Sequence, residues 1–209
     1  GLPKEAWIPQ IQLSKHNAAE AYVVMNHYRR GDFAPYIYRT RDYGQTWERL
    51  VDENKVRGYA LCVLQDPTVP HLLFCGTEHG LWMSIDDGKS WSQWKAGMPS
   101  VSTMDLVIQE READLVIATF GRALYVLDNI SPLREIAKDG IKTLDQKLVA
   151  FDIADAYLAE IGTAPGEKNG DDIYQGENRS RGARISYYVR VPQREKVVAA
   201  PIATTSLTP

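Results

Sequence analysis

This chain of 209 residues is short of cysteine and of long apolar runs. Its two cysteines are too few to indicate a redox compartment. No apolar run approaches the roughly 18 residues that a membrane-spanning helix requires, so we expect no membrane span. Residues 1–7 lack a basic region followed by an apolar stretch, so they are not a signal peptide. They also lack an initiating Met, and we expect a mature, processed or partial chain.

The chain has no basic character either, because 24 Lys and Arg residues stand against 27 Asp and Glu residues. The formal net charge of −3 and the lack of a Lys/Arg stripe argue against nucleic acid as a partner. Arginines cluster only in short stretches with acidic neighbours, which we interpret as solvated surface. These stretches are Arg39/Arg41 and Arg179/Arg181/Arg184.

Patterns for metal, phosphate or cofactor binding are also lacking. The histidines, which have no ligand spacing with Cys or Asp, are His16, His27, His71 and His79. The run Asp86-Asp87-Gly88 lacks the remaining ligands of a calcium loop. No Gly-rich phosphate loop follows a predicted strand. We therefore predict no metal and no cofactor.

Cys62 and Cys75 fall on two successive predicted strands around a turn near Asp66-Pro67-Thr68. If the strands pair about that turn, the two residues lie nearly opposite each other. Two interpretations follow: small thiols buried in a sheet, which we favour, or a cross-strand disulfide.

What the chain does contain is a duplicated octapeptide. Residues 40–47 and 84–91 both read (S/T)-x-D-x-G-x-(S/T)-W, and Asp42 and Asp86 are 44 residues apart. Self-similarity at such a period is typical of repeat architectures. The repeated positions are Thr40, Asp42, Gly44, Thr46, Trp47, Ser84, Asp86, Gly88, Ser90 and Trp91.

The repeat extends beyond the octapeptides into three units of short strands. Residues 72–77 and 80–84 share a frame with 115–119 and 122–127, and an earlier copy lies at 21–25 and 35–40. A further apolar strand precedes each unit, at 8–13, 59–64 and 104–108. Four antiparallel strands in a period of about 40–45 residues are typical of a propeller blade. We therefore predict an all-β fold, with about three four-stranded blades in residues 1–130.

The composition of the octapeptide suits a tight turn between the third and fourth strands. Asp42 and Asp86 are placed to accept backbone N–H groups, and Gly44 and Gly88 permit a positive φ. The hydroxyl residues can join the two arms of the turn, and the tryptophans can pack against neighbouring strands. The third unit has Asn129-Ile130-Ser131 in place of Asp86-Asp87-Gly88 and so lacks the motif.

These octapeptides resemble the Asp-box, or BNR, repeat of sialidase-type, sortilin-type and xyloglucanase-like propellers. Further stretches resemble large secreted bacterial proteins of the BNR-repeat glycosyl hydrolase-like or sortilin-like branch, and they lie at 14–17, 33–42, 76–81 and 118–133. The resemblance covers most of residues 7–190 and places 118–133 at the end of the final blade. Because propellers close with roughly 4–8 blades, it implies an incomplete ring. We expect missing sequence, another chain or self-association to complete that ring.

After the blades, the sequence predicts a connector in residues 131–175 and a β module beginning in 176–209. Ser131, Pro132 and Gly140 predict a short helix, with Ser131 as its N-cap and Gly140 as its stop. Residues 148–151 predict a strand, and 162–172 predict a mobile loop. Residues 182–190 resemble the first strand of a β-sandwich module, and we expect 199–209 to be irregular.

Glu78, His79 and Arg122 are the candidate ligand-binding residues. They lie in corresponding turns between the second and third strands of two units, where blade loops can face the channel or one end of the ring. The aspartates of the octapeptides recur in register, which indicates a structural role. A sialidase needs three arginines and a Tyr/Glu nucleophile pair, which the sequence does not identify. The catalytic aspartates of xyloglucanase-like enzymes do not map onto this chain either, so the catalytic residues stay unknown.

Two hypotheses for function follow from the resemblance. In the first, the chain is part of a secreted, glycan-active, hydrolase-like protein whose paired carboxylates come from other blades. In the second, it is a non-catalytic sortilin-like scaffold that binds a protein or a glycan. The resemblance implies a secreted, periplasmic or cell-surface location. Because fold does not fix function, both hypotheses stay open at this stage.

Overall fold

The computed structural model describes residues 2–156 and 182–191, whose regular secondary structure consists mostly of β-strands. Their strands form two four-stranded sheets, one three-stranded sheet and one two-stranded sheet, all antiparallel. Within the three larger sheets, each strand pairs with the next along the chain. The all-β architecture of successive blades is therefore as the sequence predicts.

The first sheet contains β1 (Trp7–Leu13), β2 (Ala21–His27), β3 (Asp32–Thr40) and β4 (Glu48–Arg49). The second contains β5 (Ala60–Gln65), β6 (Leu73–Thr77), β7 (Gly80–Ser84) and β8 (Ser92–Gln93). The third contains β9 (Thr103–Gln109), β10 (Asp114–Thr119) and β11 (Leu124–Leu127). The fourth pairs β12 (Leu148–Ala150) with β13 (Tyr187–Val189). Short 3-10 helices lie at Tyr28–Arg30 and Ile141–Asp145.

The third sheet differs from the predicted four-stranded blade, because it has three strands within the described residues. In the first two sheets, the octapeptide turn returns the chain for a short fourth strand. The third unit has no such turn. Instead, Asn129 N donates to Asp114 Oδ1 at 2.8 Å and Ile130 N donates to Ala113 O at 2.7 Å. These bonds hold the chain against the β9–β10 turn, from which it enters a helix.

That helix, α1 (Ser131–Asp139), follows the third sheet directly. The predicted N-cap was wrong: Ile130 is the cap, and Ser131 is already helical. Ser131 N instead donates to Asn129 Oδ1 at 3.2 Å. The Asn129 side chain thus accepts a hydrogen bond from a backbone N–H that has no partner within the helix. Gly140 ends the helix with a φ of 85°, and its N–H donates to Ile136 O. Arg134 Nε donates at 2.8 Å to the fully buried Asp66, which ties the helix to the second sheet.

Two hydrophobic cores lie between successive sheets, as expected of stacked blades. The core between the first and second sheets includes Tyr22, Val24, Ile37, Val63, Leu73, Cys75 and Trp91. The core between the second and third sheets includes Cys62, Phe74, Leu81, Leu106, Ile108, Leu115 and Ile117. Ile130, Leu133 and Ala137 from the start and body of α1 join this second core. The second sheet is therefore covered on both faces.

The cysteines are free and buried, which confirms the favoured interpretation. Cys62 pairs with Gly76 across the strands, and Cys75 pairs with Val63. The two side chains consequently join different cores on opposite faces of the second sheet. Burial raises the pKa of Cys62 to about 12 and also raises that of Cys75. The cross-strand disulfide is thus excluded by register.

Arg39 is not the solvated residue that its charged neighbours suggested, because its side chain is only 4% exposed. It reaches from the first sheet to the second, where Nη1 donates to Asp87 Oδ1 at 2.6 Å. Its Nη2 donates to Glu48 at 2.8 Å. Arg41, half exposed, also donates to Asp87 at 2.6 Å. The carboxylate of Asp87 thus joins two arginines of the preceding blade.

Other sequence predictions meet the structure only in part or lie outside the described residues. Arg184 is partly exposed and pairs with Asp128 at 3.2 Å. Arg179 and Arg181 lie outside the described residues, as do the predicted loop at 162–172 and the tail at 199–209. Strand β13 is present and pairs with β12, while the boundaries of the connector and of the β module stay predictions.

The outer faces of the first and third sheets carry exposed apolar side chains. On β1, Ile11 is 63% and Leu13 is 70% exposed. On the third sheet, Val107 and Val126 flank Val116 in a cross-strand row and are both more than half exposed. Val23, Met25 and Tyr38 on the outer face of the first sheet are buried by neighbouring side chains. Within the described residues, the outer faces of the first and third sheets are thus covered only in part.

Candidate functional site

The turns of the three sheets lie at two opposite ends. One end, called here the turn end, carries the octapeptide turns at 41–47 and 85–91. The other, called the hairpin end, carries the β2–β3, β6–β7 and β10–β11 turns at 28–31, 78–79 and 120–123. The predicted ligand residues Glu78, His79 and Arg122 all lie at the hairpin end, two of them in one turn.

Glu78 and His79 form the tip between β6 and β7. Their side chains approach each other, with Glu78 Oε1 3.4 Å from His79 Nε2, and are 23% and 39% exposed. The backbone of the tip is held on both sides: Ser102 Oγ donates to Glu78 O, and Gln93 Nε2 donates to His79 O at 2.8 Å. A carboxylate and an imidazole are therefore presented together on a fixed turn.

A series of hydrogen bonds connects this tip with the neighbouring segments of the hairpin end. Glu78 N donates to Tyr59 O at 3.3 Å, and Ser102 Oγ donates to Glu78 O at 3.2 Å. Phe120 N in turn donates to Ser102 O at 2.9 Å. Phe120 is 72% exposed and stands two residues before Arg122, which is exposed and has no hydrogen-bond partner in residues 2–156 and 182–191. The bonds thus bring the turns of all three candidate residues to one surface.

Gly58 explains how closely the preceding loop approaches the tip. Its φ is +81°, and a Cβ built on it would stand 2.7 Å from Glu78 Cγ and 2.8 Å from His79 Cδ2. A side chain at this position would therefore displace both candidate residues. The absence of a side chain lets the backbone pack directly against them.

An aromatic cluster that the sequence did not single out borders the tip. Tyr28 and Tyr59 stack with their ring centroids 4.6 Å apart and 17° between their planes. Phe33 tilts against Tyr59 at 6.1 Å. Burial and then the negative charge of Glu78 raise the pKa of Tyr59, which places the ring within the field of that carboxylate. The hairpin end therefore combines aromatic rings, an acid and an imidazole.

At the turn end, the first octapeptide folds around the side chain of Asp42. Thr46 N and Thr46 Oγ1 donate to Asp42 at 2.8 and 2.5 Å, and Thr40 Oγ1 donates to it at 2.8 Å. Gly44 N donates back to Thr40 Oγ1 at 2.8 Å, and Trp47 Nε1 donates to Gly44 O at 3.1 Å. Hydrogen bonds from Thr46 and Thr40 lower the pKa of Asp42 to about 2.

The second octapeptide repeats this arrangement bond for bond. Ser90 N and Ser90 Oγ donate to Asp86 at 2.9 and 2.6 Å, and Ser84 Oγ donates at 2.8 Å. Gly88 N donates to Ser84 Oγ and Trp91 Nε1 to Gly88 O. Burial opposes ionisation of Asp86, but the hydrogen bonds from Ser90 and Ser84 outweigh it and lower the pKa. Both aspartates are thus occupied as acceptors within their own turns.

The described residues contain neither a candidate metal centre nor a candidate membrane-spanning helix. No group of three or more His, Cys, Asp or Glu side chains there is arranged to hold a metal ion. None of the helices in residues 2–156 and 182–191 is long and apolar enough to cross a membrane.

A scan of protein-family models finds no match, and a search of curated proteins finds none either. Solved structures do match. The chain is similar to a GH74 enzyme of Niastella koreensis, with a TM-score of 0.50 and 18% identity over 58% of this chain. The chain has a β-propeller fold. The match spans 21% of that enzyme, about a fifth of its length.

Two further solved structures match at lower TM-scores. A GH74 xyloglucanase from Xanthomonas campestris has a TM-score of 0.45 and 19% identity, over 58% of this chain and 22% of that one. YCF48 from Cyanidioschyzon merolae has a TM-score of 0.39 and 15% identity, over 63% of this chain and 56% of that one. At these identities, the likeness concerns the fold alone.

Proposed function

We propose that this chain is part of an Asp-box propeller protein that resembles glycosyl hydrolases and binds a glycan at its hairpin end. The observation that carries the proposal is the tip of Glu78 and His79, fixed by backbone hydrogen bonds beside the stacked rings of Tyr28 and Tyr59. The octapeptides act as Asp-box turns at the opposite end of the first and second blades.

The chemistry of the hairpin end suits a sugar. Sugar rings carry apolar C–H faces that pack on aromatic side chains, and hydroxyls that bond to a few placed polar groups. Glu78 accepts hydrogen bonds from sugar hydroxyls, Arg122 donates them, and His79 donates or accepts according to its protonation and tautomer. Aromatic rings and single polar groups on one rigid surface are the ordinary composition of such a site.

We propose binding as the function of these residues and leave hydrolysis to the complete protein. Glycoside hydrolysis uses two carboxyl groups about 5–9.5 Å apart, one of them an acid with a raised pKa. Four carboxyl groups in the described residues have a pKa that departs from the usual value, and in all four the pKa is lowered. They are those of Glu5, Asp32, Asp42 and Asp86. We propose that the carboxylates of a catalytic pair come from other blades of the complete protein.

Further blades, from the same protein or another chain, complete the ring in this proposal. The exposed apolar faces around Ile11 and Leu13 and around Val107 and Val126 support it, because inner blade faces are ordinarily covered by the next sheet. Because the sequence resembles secreted bacterial proteins, we propose a secreted, periplasmic or cell-surface location.

A sortilin-like scaffold that binds a protein is the second candidate function. It is favoured by Phe120 and Phe33, which are 72% and 54% exposed at the hairpin end and suit an apolar anchor in a partner protein. A protein ligand would depend on these phenylalanines, whereas a glycan would depend on the polar tip.

The proposal is tested by calorimetric titration of the chain with xyloglucan oligosaccharides and with other neutral oligosaccharides. We expect binding that Glu78→Gln weakens about tenfold, because a charged acceptor is lost. Glu110→Gln is the matched control, since Glu110 is an exposed carboxylate in the β9–β10 turn, at the turn end. An affinity that Glu78→Gln leaves unchanged would contradict the proposal, and so would the absence of binding to every oligosaccharide tested. A screen for glycan hydrolysis on the complete protein separates an enzyme from a binding scaffold.

A further inference from the structure

A separate cavity of about 210 Å³ lies at the hairpin end of the first sheet. It lies between the start of β1 and the 3-10 helix Tyr28–Arg30, and Trp7, Asn26, Arg29 and Arg30 form part of its wall. Pockets for drug-sized ligands measure about 300–1,000 Å³, so this cavity admits a single small unit.

Arg29 is held in a fixed orientation beside this cavity. Its guanidinium carbon lies 5.2 Å from the centre of the Trp7 ring and 5.7 Å from that of Tyr28. Its Nε donates to Tyr28 Oη at 3.2 Å, and its two terminal nitrogens have no hydrogen-bond partner within the described part of the chain. The two terminal nitrogens of the planar Arg29 guanidinium are therefore available to donate to a pair of acceptor atoms.

Two other charged residues of the cavity wall, Glu5 and Arg30, pair with each other. Arg30 Nη1 donates to Glu5 at 2.5 Å, and this bond lowers the pKa of Glu5. With that pair neutralised, the charge of Arg29 is left uncompensated. The cavity is thus electropositive where Arg29 meets it.

The remaining wall is formed by Ala6, Trp7, Asn26 and His27. Trp7 is 57% exposed, so its indole offers an apolar surface at the cavity mouth. Asn26 is 2% exposed, and its Nδ2 donates to Ala60 O of the next sheet at 3.3 Å. This bond fixes the back of the cavity to the neighbouring blade.

We propose that this cavity binds the uronic acid unit of an acidic glycan, with the carboxylate on Arg29 and the sugar ring beside Trp7. A guanidinium fork matches a carboxylate in geometry and charge, and an indole packs on the C–H face of a pyranose. A bare anion would use Arg29 but would gain nothing from Trp7. A neutral sugar would use Trp7 but would leave Arg29 without its acceptor.

The site shares its ligand class with the proposed function but uses different residues. Tyr28 links the two, because it contacts Arg29 on one side and stacks on Tyr59 on the other. A glycan that crosses the hairpin end would place neutral units at Glu78 and an acidic unit at Arg29. Either site can fail its test without the other.

The test is calorimetric titration of the chain with methyl β-glucuronide, methyl β-glucoside and inorganic phosphate. We expect the glucuronide to bind at least about tenfold more tightly than the other two, and increasing salt to weaken it. Arg29→Gln should weaken glucuronide binding about tenfold, and Trp7→Ala should also weaken it. Arg111→Gln serves as the matched control, since Arg111 is an exposed arginine in the β9–β10 turn, at the turn end.

Three results would overturn the proposal. They are glucoside binding as tight as glucuronide binding, phosphate binding as tight as glucuronide binding, and no glucuronide binding at all. Glucuronide binding unchanged by Arg29→Gln would likewise exclude this cavity. Because Arg29 is on the surface, its variant tests the site even if Trp7→Ala does not fold. Neutral oligosaccharide binding through Glu78 is measured on the same protein, so failure of one site is distinguishable from failure of the other.

Discussion

At the scale of single residues, the octapeptide turns were predictable because their bonds are local. Asp42 and Asp86 each accept bonds from residues four positions later, so the spacing in sequence is also the spacing in the turn. Gly44 and Gly88 have φ values of 85° and 82°, as the turn requires. The role of Arg39 was not predictable, because its partner Asp87 lies 48 residues away on another sheet.

Replacing Asp86 with Ala should destabilise the chain by about 1–3 kcal/mol. The change removes an acceptor of three short hydrogen bonds and leaves Ser84 and Ser90 without their partner. Urea unfolding measures the loss. Asp86→Asn, which keeps one acceptor oxygen, should recover part of it. Equal stability of the Ala variant and the natural chain would contradict the structural role of the turn.

The carboxyl of Asp42 should make stability depend on acid pH. Its pKa is lowered from 3.8 to about 2, so its contribution is complete above about pH 4 and is lost as pH falls through about 2. Unfolding midpoints in urea, recorded across this range, should therefore fall toward low pH. The fall should be shallower in Asp42→Asn. An identical pH dependence in both proteins would show that the turn does not hold the ionised form.

Removing the buried side chain of Arg39 should destabilise the chain by about 3 kcal/mol. Arg39→Ala breaks an ion pair that is nearly excluded from solvent and leaves Asp87 with only Arg41. The control, Arg111→Ala, removes an arginine that is 82% exposed and should change stability by less than about 0.5 kcal/mol. Equal effects of the two substitutions in thermal unfolding would contradict a link between the blades through Arg39.

At the scale of elements, the sequence located nearly every strand but not the contacts between sheets. Short runs of apolar residues mark β5, β6, β9 and β10, and the repeat period aligns them. Their packing depends on side-chain size at positions far apart in sequence. Gly76 is the clearest case, because it allows β6 of the second sheet to approach Thr103 of the third.

Gly76→Ala should destabilise the chain by about 2–3 kcal/mol or more. The added Cβ would stand 2.5 Å from both Cys62 Sγ and Thr103 O, and the backbone oxygen cannot yield without moving β9. Gly31→Ala is the comparison. It has a φ of +81° but nothing within 4 Å, so it should cost only about 1–2 kcal/mol of backbone strain. Greater loss of stability in Gly31→Ala would contradict the close approach of the two sheets.

At the scale of the whole molecule, our proposal assigns a structural role to the turn end of the blades and a binding role to the hairpin end. The turn end is occupied by bonds within and between blades, whereas the hairpin end presents Glu78, His79 and Arg122 beside aromatic rings. The repeat frame located Glu78 and His79, because their turn has a counterpart in the third unit. The repeat frame did not locate Tyr28 and Arg29, because the β2–β3 turn is longer than the corresponding turns and these two residues have no counterparts in the other units.

Nuclear magnetic resonance of the isotope-labelled chain, titrated with a binding oligosaccharide, tests this division most directly. Our account predicts chemical-shift changes in the backbone at residues 28–33, 58–59, 78–79 and 120–122. It predicts none at the octapeptide turns, 41–47 and 85–91, which serve as the internal control. Shifts concentrated at the octapeptide turns, or on the outer apolar faces, would contradict the assignment of the hairpin end as the glycan-binding surface.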